Sequence, residues 1–94
     1  MKEPLDRNEA KKLILKLLTE GNTSLSRHAE KELAKDELTT LDATNVLRAG
    51  KITEPPELER DTWRYRVHTD RMVVVVSFPS ESKLRIVTAW RKNK

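Results

Sequence analysis

The eight residues Arg71-Met72-Val73-Val74-Val75-Val76-Ser77-Phe78 constrain the fold more than any other stretch of the chain. A run this rich in valine, too short for a helix and flanked by turn-formers, reads as a buried strand whose two faces both need cover. Upstream, Trp63-Arg64-Tyr65-Arg66-Val67-His68 alternates large apolar with basic residues, so it pairs with the valine run as an antiparallel hairpin. The link, Thr69-Asp70, lacks the glycine that a two-residue primed turn prefers, and the loop is expected to borrow a residue from a strand. Downstream, Pro79-Ser80-Glu81-Ser82 is a turn cluster, and Leu84 to Trp90 resumes a strand pattern. The second half is therefore a β-meander.

Three helices are expected to cover it. Asp6 caps a helix over 6–20 whose Ala10, Leu13, Ile14, Leu17 and Leu18 recur at three- and four-residue spacing, with Gly21 as the left-handed stop. Its other face carries Lys11, Lys12 and Lys16. Gly21 to Ser24 reads as a loop, and Ser26 caps a shorter helix to Lys35 with Leu25, Ala29 and Leu33 toward the core. Thr39 and Asp42 form a capping box for a third helix, 41–49, with Leu41, Val46 and Leu47 as its apolar stripe and Gly50 as its end. Ile52 and Thr53 begin a short strand stopped by Pro55 and Pro56, and Glu57 to Asp61 reads as a polar connector. The expected fold is α+β: helices packed on one face of a roughly four-stranded antiparallel sheet. One core is expected to join Leu13, Ile14, Leu17, Leu47, Val74, Val76 and Ile86.

At 94 residues the chain forms a single domain, 1–94, burying roughly 60–65% of its unfolded surface. Charged residues make up 36% of it, but the apolar residues are grouped periodically, which argues against disorder. Without cysteine there is no disulfide framework or thiolate zinc site, and no apolar run approaches the length of a membrane span, so a cytoplasmic protein is expected. Two glycines exclude the Gly-rich phosphate loops, and no metal spacing is present. A net charge of +4 favours an anionic partner, either nucleic acid or an acidic protein.

What chemistry remains rests on histidine and arginine. His28 falls at the second position of a helix, where the dipole favours a bound phosphate and a neutral imidazole; its alternative role is plain packing at a helix start. Strand alternation puts Arg64, Arg66 and His68 on one face as a basic stripe, with Arg71 and Arg91 near it, for phosphate binding or simple solvation. Trp63, Tyr65 and Val67 take the opposite face, where Trp63 and Tyr65 fit a core better than a stacking role; Trp90 is open to either.

Ser26-Arg27-His28-Ala29, then Thr40-Leu41-Asp42-Ala43 with Val46-Leu47, Gly50, Ile52 and Glu54, then Tyr65-Arg66-Val67 and Val87-Thr88-Ala89-Trp90-Arg91 together resemble a family of small bacterial proteins of unassigned function. Its members look like RelE, MqsR and BrnT toxins and are often encoded beside a zinc-finger antitoxin. The resemblance covers about 24–91 and implies a RelE-like domain, with RNA held on the sheet face opposite the helices. It implies the toxin of a type II toxin–antitoxin system, a metal-independent endoribonuclease cleaving mRNA without a cofactor. RNA, free or on the ribosome, and a cognate antitoxin are the expected partners. The alternative is a non-catalytic RNA- or protein-binding module with a basic sheet face. The expected catalytic residues are His28 and His68 as acid and base, Arg66, and Tyr65 as reserve donor; the expected RNA-binding residues are Arg27, Arg64, Arg71, Trp90 and Arg91. The family tends to carry Arg where this chain has Glu32 and Asp36, and Gly where it has Glu37.

Overall fold

The computed structural model describes residues 1–92; of the short basic tail that the sequence shows at Arg91-Lys92-Asn93-Lys94, the last two residues lie outside the described residues. Three helices and a five-stranded mixed sheet make up the fold, with the first strand falling between the first two helices: α1 Arg7–Glu20, β1 Thr23–Leu25, α2 Arg27–Lys35, α3 Thr40–Ala49, β2 Glu57–Glu59, β3 Thr62–His68, β4 Met72–Ser80 and β5 Lys83–Arg91. The strand order is β1-β5-β4-β3-β2. The helices start where their caps require. The side chains of Asp6, Ser26 and Thr39 accept from the backbone N–H of Glu9, Ala29 and Asp42, and the Thr39–Asp42 capping box is complete.

The expectation of four antiparallel strands needs correcting at both edges. β1, expected as loop, pairs parallel with β5, Thr23 opposite Leu84 and Leu25 opposite Ile86. β2, expected as a connector, pairs antiparallel with β3. Ile52 and Thr53 form no strand; Ile52 packs into the core, and only the neighbouring Lys51 bridges to His68. β2 and β3 are joined by Arg60 and Asp61, both at positive φ (51° and 62°), the backbone of a primed two-residue turn built without glycine or asparagine.

β4 is central and buried from Met72 to Phe78. Val74 and Val76, fully buried, face the helices beside Tyr65, Val67, Ile86 and Ala89, and share one core with Ile14, Leu17 and Leu47. Leu13 packs on its margin, whereas Leu41 is 64% exposed and Ala43 takes the inward place. The β3–β4 loop borrows Arg71, and the β4–β5 turn shrinks to Glu81-Ser82 because β4 runs on through Pro79 and Ser80 at a register shift.

α2 does not lie beneath the sheet so much as along its side. Ser26 donates its N–H to Ile86 O (2.9 Å) and its hydroxyl to Val87 O (2.7 Å), while at the far end the Arg91 N–H donates to Asp36 Oδ2 (3.2 Å). The helix thus continues β1 along the outer edge of β5, and its first turn arrives at the sheet face that α1 and α3 leave open.

Candidate functional site

On that open face the cross-strand neighbours are side chains of opposite character. Val73 sits between His68 and Trp90, Val75 between Arg66 and Thr88, and Ser77 opposite Arg85. Two adjoining clefts run across it. The larger, about 590 Å³, is lined by Ser26, His28, Glu59, Arg60, Thr62, Arg64, Ser77, Pro79, Arg85 and Val87. The smaller, about 100 Å³, is lined by Glu57, Glu59, Arg64, Arg66, Val75, Thr88 and Trp90. Glu59 and Arg64 belong to both, so the two form one groove in which four guanidinium groups face two carboxylates.

His28 enters this groove because Ser26 both caps α2 and anchors to β5, fixing the first turn against the sheet. Among the described residues nothing hydrogen-bonds the imidazole, which is exposed. Arg60 and Arg85 carry no ion pair among the described residues, and the Nε of Arg64 is buried without a partner while its Nη1 lies 3.7 Å from Glu59. An unsatisfied buried donor beside free cations is an arrangement suited to an anion. Arg66 is held between Glu54 (3.7 Å) and Glu57 (3.4 Å), with its guanidinium 5.8 Å from the centroid of the Trp90 ring.

Comparison with protein families gives a match over residues 25–91 to a domain of unknown function, DUF4258. The chain belongs to that family. Comparisons with curated proteins and with solved structures give no match. The DUF4258 match takes in α2 to β5, and with them every groove residue named above, and leaves α1 outside.

Within the DUF4258 domain the expected site residues divide into three groups. His28, Arg64, Arg66 and Trp90 meet in the groove. His68 does not join them: it lies four residues along β3 from Arg64, roughly 13 Å at the usual strand rise, and it lines neither cleft. Its ring is engaged on both sides, Nδ1 with Lys92 Nζ (3.1 Å) and Nε2 with Thr53 Oγ1 (2.8 Å) and Glu54 (3.4 Å). The two histidines, expected as an acid–base pair on one phosphate, therefore do not share a cleft. Arg71 and Arg91 line a separate cleft of about 470 Å³ with Leu38, Asp42 and Met72, and the Arg91 guanidinium donates to Asp36 O. Arg27 is exposed in the first turn of α2 and lines neither groove cleft.

Tyr65 is the third group, and its expected role as proton donor is corrected. It points away from the groove, fully buried, donating to Glu3 Oε2 (2.8 Å) and accepting from the Leu5 N–H (3.0 Å). Burial, with the Glu3 carboxylate beside it, pushes the phenol well above its ordinary value, so it holds its proton at neutral pH. Tyr65→Phe is expected to lower stability by about 1–2 kcal/mol in a denaturant titration, while leaving any groove activity unchanged.

The residues missed in the sequence are Arg60, Arg85, Glu57 and Glu59. Arg85 was legible in principle, since alternation from Leu84 sets it outward. Arg60 reaches the groove only through a turn that has no glycine to announce it.

Among the described residues no group of three or more His, Cys, Asp or Glu side chains is placed to hold a metal ion, and no helix is long and apolar enough to cross a membrane.

Proposed function

We propose that the groove binds single-stranded RNA and cleaves it as a toxin-type endoribonuclease without a metal. The observation that carries this reading is the unpartnered imidazole of His28 opening on a cleft with Arg60, Arg64 and Arg85. In this mechanism His28 takes the 2′-hydroxyl proton, and the 2′-oxygen attacks the adjacent phosphorus. Arg64 and Arg85 stabilise the charge on the phosphorane. The departing 5′-oxygen takes its proton from water, to which the groove is open. The products are a 2′,3′-cyclic phosphate and a 5′-hydroxyl. The resemblance to RelE-, MqsR- and BrnT-like toxins supports the same reading, and with it a RelE-like architecture and an antitoxin, of zinc-finger type, acting against the basic groove.

The test is incubation of the purified protein with RNA in excess chelator, with the product ends analysed. Metal-independent cleavage leaving a cyclic phosphate is expected, and loss of activity on chelation would sink the mechanism. RNA binding is expected to weaken with salt. Arg85→Ala should lower the slope of log K against log salt by about 0.7, the share of one phosphate contact on a single strand. A slope unchanged by this substitution removes Arg85 from the site.

A second reading has its own observation. The groove holds one imidazole, and Arg64 and Arg66 are already ion-paired, which suits a binding module without turnover. Binding without cleavage by the wild-type protein would decide for it.

A further inference from the structure

We propose that the half of the groove beside β2 reads a base rather than a phosphate, and that it favours guanine; this rests on the reading of the groove as an RNA site. The two halves differ in charge. Around His28 the guanidinium groups of Arg60 and Arg85 have no ion pair among the described residues, whereas in the smaller cleft Arg66 is balanced by Glu54 at 3.7 Å and Glu57 at 3.4 Å. Phosphate is drawn to the first half and repelled by the carboxylates of the second. Arg64 lines both, so a phosphate held there brings its own nucleoside to the mouth of the smaller cleft.

That cleft has the surfaces a base needs. Val75, Thr88 and Trp90 line it, and the Arg66 guanidinium already lies over the indole, as a flat polar group does. Bases stack on such surfaces whatever their identity, so discrimination falls to the polar groups around them. Those are Glu57 and Glu59, whose side chains are 60% and 59% exposed. Among the described residues neither carboxylate accepts a hydrogen bond; their arginine contacts are ion pairs at 3.4–3.7 Å. Guanine alone presents two adjacent donors, N1–H and the N2 amine, that match the two oxygens of one carboxylate. Uracil offers a single donor, N3–H, flanked by two carbonyl oxygens that the carboxylate repels. Adenine and cytosine each offer one amine beside a lone pair.

The experiment uses the full chain and fluorescent 2′-O-methyl heptamers, which lack the attacking hydroxyl and cannot be cut, all uridine except for guanine, adenine, cytosine, inosine or uridine at the centre. Fluorescence anisotropy is expected to show the guanine heptamer binding about tenfold tighter than the uridine one, with inosine, which lacks the amine, losing most of that advantage. Glu57→Gln with Glu59→Gln should abolish the preference without weakening the uridine heptamer, because removing two negative charges favours any phosphate chain. Circular dichroism checks the fold, and Glu57→Gln alone serves if the double variant fails to fold. Equal binding of all five by the wild type overturns the proposal and leaves the groove an RNA site. A parallel rise in all affinities in the variant, with the preference kept, also overturns it. Binding of none would overturn the RNA reading itself.

Discussion

RNA cleavage by the His28→Ala protein is expected to be slower by about 10²–10⁴-fold, the usual contribution of a positioned general base. The residue is exposed, in the first turn of a helix capped by its neighbour Ser26, so the substitution should leave the fold intact. Affinity for uncleavable RNA should change little, since the proposed phosphate contacts are those of the arginines. This separates the imidazole from Arg64 and Arg85, whose loss is expected to weaken binding and cleavage together. His68→Ala, by contrast, is expected to leave cleavage unaltered, because its ring is occupied by Lys92, Thr53 and Glu54. Rates in excess chelator for the two histidine variants side by side are the measurement. Equal activity in His28→Ala and the wild type would remove the proposed base.

The second large effect is on stability. Gly50→Ala is expected to destabilise the protein by about 3 kcal/mol, at the upper end of overpacking. The residue has an ordinary extended backbone, φ −78° and ψ 176°, so the reason is space rather than conformational freedom. A Cβ placed there would stand 2.6 Å from Val46 O, 2.8 Å from His68 O and 2.9 Å from Val67 Cγ1. Two of those atoms are backbone, and neither can rotate aside. This is where the end of α3 meets the Lys51–His68 bridge, and Lys11 fixes the same corner by donating to the carbonyls of Leu47, Arg48 and Gly50. A urea midpoint unchanged by the substitution would contradict the close approach.

The sequence announced Gly50 as a helix end, which it is, but not why no other residue fits. The helices were legible because their signals are local: Asp6, Ser26 and the Thr39–Asp42 box each lie within three residues of the N–H they satisfy. β3, β4 and β5 were legible from alternation and from the valine run. β1 and β2 were not, since three residues carry no period, and β1 exists only through a partner some sixty residues away. Trp90 stayed ambiguous for a definite reason. Strict alternation from Leu84 would set Trp90 inward and Ala89 outward, but the register shift between Val75 and Val76 leaves Val87 as an extra residue and reverses both. The tryptophan reaches the groove by that bulge. Glu37 is a further case: it sits at φ 58° just beyond α2, where Leu38 N donates to Leu33 O in a left-handed helix stop, a place that suits the glycine of the resembled family better than a side chain.

The way the sheet ends on its two sides bears on how the molecule keeps to itself. On one side α2 lies along β5 beyond the short β1, so most of that strand is closed to another chain. On the other, β2 is exposed at all three positions, with Leu58 56% exposed between two glutamates. An apolar side chain on a free strand invites a second molecule to pair there, and the flanking like charges of two approaching copies would resist it. The brevity of β2, the stiff Pro55-Pro56 before it and the Glu57 and Glu59 carboxylates together work against edge-to-edge pairing of two copies.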